Sequence, residues 1–120
     1  MRISQMASSI EPYQAEASVA DSSTCPGSQC QFTFPTVPAG KRLHLTSVSA
    51  QLGQVSDVIV LEGAGVSYFV TKFHPDLGYL TTPVSLYYGA GQTPTARVFA
   101  PNPDQHTSLI ITLVGELEKL

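Results

Sequence analysis

From Cys30 onward, apolar residues recur mainly at every second position, in segments of roughly 5 to 13 residues separated by Gly- and Pro-rich punctuation. That period is the mark of strands with one face against a core. Cys30, Phe32 and Phe34 share one face of the first segment, and Pro35 to Gly40 end it. The next, Arg42 to Leu52, changes phase. Leu43 and Leu45 lie on one parity, whereas Val48, Ala50 and Leu52 lie on the other. Either a β-bulge near Thr46 and Ser47 returns all five to the core, or the strand leaves one sheet for another. Val58 to Leu61 is continuously apolar, which predicts a strand covered on both faces, and Glu62 to Gly65 turn it. Val66 to Phe73 follows as another strand.

His74 to Gly78 is a turn, after which Tyr79 to Tyr88 alternates with Leu80, Thr82, Val84, Leu86 and Tyr88 on one face. Pro83 lies within it and cannot donate to a ladder, so this strand belongs at an edge or is broken there. Thr95 to Ala100 and Ser108 to Leu120 complete the set, although the closing residues Gly115 to Lys119 also suit a short helical turn. Residues 1 to 24 are different. They are rich in Ser, Ala and Gln and read as an extended arm or edge strand preceding a domain of residues 25 to 120.

Seven strands, or eight if the arm pairs, predict an all-β fold: a two-sheet antiparallel sandwich with an extended N-terminal arm. The inter-sheet cysteine pair and Trp of immunoglobulin domains are missing, which favours a jelly roll. Three stretches carry a resemblance: Val37 to Leu43 opening a strand, Leu86, Tyr87 and Tyr88 followed by Gly89, and Leu113 to Leu117. Across roughly residues 35 to 118 the chain resembles small bacterial jelly-roll-like β-sandwich proteins of no established function. The resemblance implies a fold and brings no catalytic residues with it.

The only two cysteines, Cys25 and Cys30, flank a Pro26-Gly27 turn that brings their Cα atoms within disulfide range. Redox catalysis favours two intervening residues on a helix, and zinc needs four convergent ligands, whereas His44, His74 and His106 are scattered. A structural bridge, and with it an oxidising compartment, is the leading reading; two reduced thiols in a cytosolic or virion protein is the other. Residues Met1 to Ile10 lack the apolar stretch of a signal peptide, so export would require a mature chain or another route.

Charge narrows the partners. Charged residues are 12% of the chain, about half the usual share, and the net charge is −3 with no run of either sign. The six basic residues form no stripe to release counterions, which argues against nucleic acid. No segment reaches a membrane-spanning length. His74 with Asp76 and His106 with Asp104 sit in Pro-flanked loops, and no Gly-x-Ser-x-Gly is present. No cofactor or metal is implied.

These features point to a non-enzymatic structural or interaction module that self-assembles on a cell surface, filament or virus-like particle. In it, residues 13 to 20 would add as a strand to a neighbour or fold on their own sheet. A homo-oligomer in an extracellular or particle-surface setting is expected. A carbohydrate-binding module is the alternative, with Tyr79, Tyr87 and Tyr88 as the possible ligand surface. Tyr79 and Tyr87 are separated by about 26 Å of strand, too far to flank one sugar. A hydrolase is the third reading.

Overall fold

A computed structural model describes residues 9–52, 58–70, 78–99, 106 and 108–120 of the 120. Among the described residues there are eight strands: β1 (Ile10–Val19), β2 (Gln29–Thr33), β3 (Lys41–Gln51), β4 (Val58–Glu62), β5 (Tyr68–Phe69), β6 (Tyr79–Tyr88), β7 (Thr95–Phe99) and β8 (Leu109–Lys119). They form two antiparallel four-stranded sheets, in the orders β1-β8-β3-β6 (sheet A) and β2-β7-β4-β5 (sheet B). Sequential strands cross between the sheets instead of pairing side by side, with β4 and β5 the one exception. This interleaving gives the two Greek keys of a jelly roll.

The phase slip in β3 is a bulge. Leu45 faces Gly115 of β8, but Ser47 already faces Val114; against β6 the register breaks at the same place with the extra residue on β6, Leu45 facing Leu86 and Ser47 facing Pro83. Leu43 and Leu45 before it, and Val48, Ala50 and Leu52 after it, are all buried in one core. Gly115 is what allows it: a Cβ there would run into the His44 carbonyl oxygen and the Leu45 backbone. Thr46 also ties the bulge down, its hydroxyl donating to the Val114 carbonyl at 3.2 Å.

Other expectations resolve with similar detail. Ile59, Val60 and Leu61 are all buried, but Val58 at the start of the run is exposed, so the run Val58 to Leu61 is covered on both faces only from Ile59 on. The Pro83-bearing strand β6 is the edge of sheet A. The closing residues do not turn helical, because β8 keeps its register with β1 to Glu118 and with β3 to Lys119. Within the described part of 66–73 only Tyr68 and Phe69 are strand, because the Glu62–Ser67 connection is a wide turn with Gly63 and Gly65 at positive φ. Residues 10–19 run unbroken along β8 of their own chain. β1 turns Tyr13, Ala15, Ala17 and Val19 toward the core.

The disulfide forms. Cys25 and Cys30 are bonded with their Cα atoms 5.0 Å apart, around the single 3-10 turn Pro26–Ser28, where Gly27 takes φ 61°. The half-exposed Cys25 is thereby fixed to Cys30, which is fully buried in β2. Closing so short a loop stabilises the fold by about 2 kcal/mol in the chain-entropy model.

Two substitutions test this packing. Gly115→Ala should cost about 3 kcal/mol or more in chemical denaturation, since backbone must move to admit the methyl group. Tyr13→Phe should do the reverse. The Tyr13 hydroxyl is buried with no hydrogen-bond partner among the described residues, so removing it should raise stability by about 1 kcal/mol.

Candidate functional site

The outer face of sheet A is tiled with polar cross-strand pairs. Arg42 Nε donates to Glu118 at 2.8 Å, Thr81 to Ser49 at 3.1 Å, and the Gln51 amide to Ser108 at 2.9 Å. Tyr79 and Tyr87 lie on this face at opposite ends of β6, and both are exposed. Tyr87 is not bare. The His44 ring stacks on it at 4.3 Å with a 9° interplanar angle, and the Arg42 guanidinium lies 4.8 Å from its centroid. Little ring face is left for a sugar. Tyr88, named with them as a possible ligand surface, is fully buried and points into the core, as its parity with Leu80 and Val84 requires. Burial, with Tyr13 nearby, pushes its phenol up to about 12.

Sheet B carries the better-built site. β4 and β7 lie side by side, which places Glu62 across from Thr95 and two residues from the level of Arg97. Arg97 donates to Glu62 twice, Nε to Oε1 at 2.6 Å and a terminal nitrogen to Oε2 at 2.9 Å. Ser67 adds a third hydrogen bond to Oε2 at 3.0 Å. Arg97, then Ser67, holds the Glu62 carboxyl below the usual carboxylate range. Both side chains are a little over a quarter exposed.

The pair is fixed from below and from the side. The buried Tyr88 hydroxyl crosses the core from sheet A to donate to the Glu62 carbonyl at 3.1 Å. Next to it, Gly63 adopts φ 104° and packs so closely on the Thr93 carbonyl that a Cβ has no room. Two shallow depressions meet at Glu62. One, of about 310 Å³, is lined by Glu62, Gly63, Gly65, Val66 and Ser67. The other, of about 130 Å³, runs over Gln31, Thr33, Thr95 and Arg97.

Glu62 is the only carboxylate among the described residues lining these depressions. Glycoside hydrolysis calls for two carboxyl groups about 5–9.5 Å apart, one held protonated. Among the described residues lining the depressions Glu62 has no such partner, and its carboxyl is held low, not raised. Among the described residues no cluster of three or more His, Cys, Asp and Glu side chains offers a metal site.

Comparison with known proteins adds fold-level context only. The chain is similar to the solved structure of an exo-β-1,3-galactanase from Phanerochaete chrysosporium with galactose, at a TM-score of 0.46 and 14% identity. That match covers 88% of this chain and 29% of the other, so the chain spans less than a third of that protein. No family model and no curated protein matches. A likeness this distant carries no argument about function.

One further cluster has the residue types of a nucleophilic triad: Asp21, Ser23 and His106. Its geometry is different. Ser23 Oγ donates to Asp21 Oδ1 at 2.7 Å, and both Ser23 Oγ and Asp21 Oδ2 lie 3.1 Å from the same ring nitrogen, His106 Nδ1. A triad needs the hydroxyl and the carboxylate on opposite nitrogens. Asp21 instead caps the 3-10 turn Ser22–Thr24 and clasps it to His106, 85 residues away. The His74 and Asp76 pair and Asp104 lie outside the described residues.

Ser23 and His106 hold the Asp21 carboxyl down at about 2 from an ordinary 3.8. A folded-state pKa below the unfolded value stabilises the fold fully above that unfolded value. The contribution is then lost as pH falls through the folded one. An Asp21 Cγ titration followed by NMR should therefore have its midpoint near 2, and the stability difference between wild type and Asp21→Asn should vanish as pH drops from 3.8 toward 2.

Proposed function

We propose that this jelly roll is a non-enzymatic interaction module that associates with copies of itself through the outer face of sheet B. One observation carries the reading. Val58 (44% exposed) lies two residues before the fully buried Val60 on β4, Phe69 (63% exposed) lies across from Val60 on β5, and Phe99 lies directly across from Val58 on β7. Val58 and Phe69, with Phe99, over whose ring the Arg97 guanidinium lies at 5.1 Å, make an apolar area at one end of the face, whereas the exposed Tyr79 and Tyr87 on the outer face of sheet A stand apart at opposite ends of β6 among Ser, Thr, Gln and ion pairs. Low charge favours a like partner, since a second copy brings little repulsion at a net charge of −3.

The edges support association less than the face does. β6 carries Pro83, β5 is two residues long, and the edge strand β1, which carries Pro12, already pairs along its length with β8 of its own chain. Proline and short length blunt pairing between chains. Strand exchange by residues 13 to 20 accordingly gives way to face-to-face packing. The Cys25–Cys30 bridge is compatible with an extracellular setting. None of the described helices is long and apolar enough to cross a membrane.

Area sets the strength. Four strands about 4.8 Å apart and at most about 17 Å long give a face of at most about 300 Å², of which the apolar end is about half. Two such faces bury far less than the ~1,200 Å² typical of stable interfaces, so association should be weak and concentration-dependent. Sedimentation equilibrium should show the mean mass of the wild type rising from monomer toward dimer at about 0.1–1 mM, and Phe69→Glu or Val58→Glu should stay monomeric. A wild type that is monomeric throughout that range overturns the reading.

A further inference from the structure

The structure assigns a second role to the opposite end of the same face: the groove around Glu62 and Arg97 is a binding site for neutral carbohydrate. The argument starts from unspent hydrogen-bonding capacity. Among the described residues three of the five N–H donors of Arg97 are engaged, two by Glu62 and one by Gln29 at 3.4 Å, which leaves two, while the guanidinium carbon lies 5.1 Å from the Phe99 ring centroid. The Glu62 carboxylate offers about four acceptor positions. Arg97 takes two of them and Ser67 one. Among the described residues one acceptor therefore remains beside two donors, on the adjacent strands β4 and β7.

Around this pair stand Gln31, Thr33 and Thr95, whose side chains make no hydrogen bond to other described residues. The groove thus brings donors and acceptors side by side on neighbouring strands. A hydroxyl both donates and accepts, so vicinal hydroxyls can bridge carboxylate and guanidinium at once. Val66, 55% exposed on the wall of the larger depression, supplies an apolar contact for the C–H side of a sugar ring.

Charge decides between ligand classes. Glu62 and Arg97 are the charged groups lining the groove among the described residues, and they neutralise one another. An anion would meet the carboxylate and a cation the guanidinium, so a neutral polyol suits both. Preorganisation raises the affinity: the Tyr88 hydrogen bond, the Gly63 contact and the bidentate ion pair hold the polar groups in place before a ligand arrives. The site is shallow and has no stacked aromatic ring, which implies weak binding per sugar.

The test is NMR titration of the full ¹⁵N-labelled chain with the methyl glycosides of glucose, galactose and mannose. At least one should shift the Arg97 Nε–H and the amides of Thr95, Ser67 and Gln31, with a dissociation constant of about 1–10 mM. Thr95→Val and Gln31→Ala, both on the groove rim, should weaken it about fivefold to tenfold while leaving the remaining spectrum unchanged. Glu62→Gln should abolish it. No shift with any of the three glycosides overturns the inference, as do shifts confined to His44 and Tyr87, or tighter binding of methyl glucuronide than of its neutral counterpart. Self-association does not enter: a monomeric wild type that shows the groove shifts keeps this inference and loses only the dimer.

Discussion

The contact between the β3 bulge and Gly115 is the constraint on which the molecule depends. An alternating strand presents one set of residues to the core, and a single inserted residue would turn every later side chain outward. β3 contains such an insertion, and it sits at the centre of sheet A between β8 and β6. Leu43 and Leu45 could be buried without the bulge, or Val48, Ala50 and Leu52, but not all five. The backbone of His44 and Leu45 must crowd β8 for the bulge to form, and only a residue without Cβ tolerates that approach. Across β8, Tyr13 of β1 is paired with the same glycine, so the bulkiest inward side chain of the edge strand stands opposite the smallest residue of its neighbour.

That constraint reaches the opposite face through the core. β6 stays in register with both halves of β3 only because the bulge shifts its pairing as well. Its last inward residue, Tyr88, then lies where its hydroxyl meets the Glu62 carbonyl of the other sheet. A buried phenol requires such a partner. In return the Glu62 backbone is fixed from beneath, so the carboxylate above it meets Arg97 with both oxygens. A half-buried ion pair contributes little net stability on its own. Its value here lies in orientation, since it holds one acceptor and two donors in fixed positions on an otherwise ordinary sheet face.

The strands were legible in the sequence because burial on one side writes itself as period two, and the phase slip in β3 was legible as a break in that period. Pro83 marked an edge for a stereochemical reason, the missing N–H. The pairing of distant strands was not legible. Glu62 and Arg97 are 35 residues apart, and nothing local distinguishes Glu62 from a polar turn residue or Arg97 from an outward charge. Only the placement of β4 beside β7 brings them together. Asp21 and His106 show the same limit, since His106 invites comparison with its neighbour Asp104, yet its partner lies at the other end of the chain. The tyrosines misled for a different reason: aromatic side chains at strand ends read as ligand platforms, but Tyr88 has core parity and Tyr87 is already stacked on His44. Sparse charge is the one signal that could have found the pair: in a chain with 12% charged residues, an Arg and a Glu on strands of similar apolar character are a place to look for a built polar cluster.

The two roles argued for sheet B strengthen one another through geometry. Val58 and Glu62 are four residues apart on one strand, about 13 Å, so copies packed on the apolar end need not cover the groove. A groove with one spare acceptor, two spare donors and no stacked ring holds a single sugar weakly, and a small interface holds a second copy weakly. Linked, the two weak contacts differ in kind from either alone. Once one groove of a dimer engages a glycan-bearing surface, the second groove faces its ligand at an effective concentration set by the distance between sites, commonly millimolar. That matches the affinity expected of each groove. Surface-bound glycan at high density would therefore favour the dimer, and the dimer would favour the surface, so that neither contact has to be strong for the pair of them to be selective.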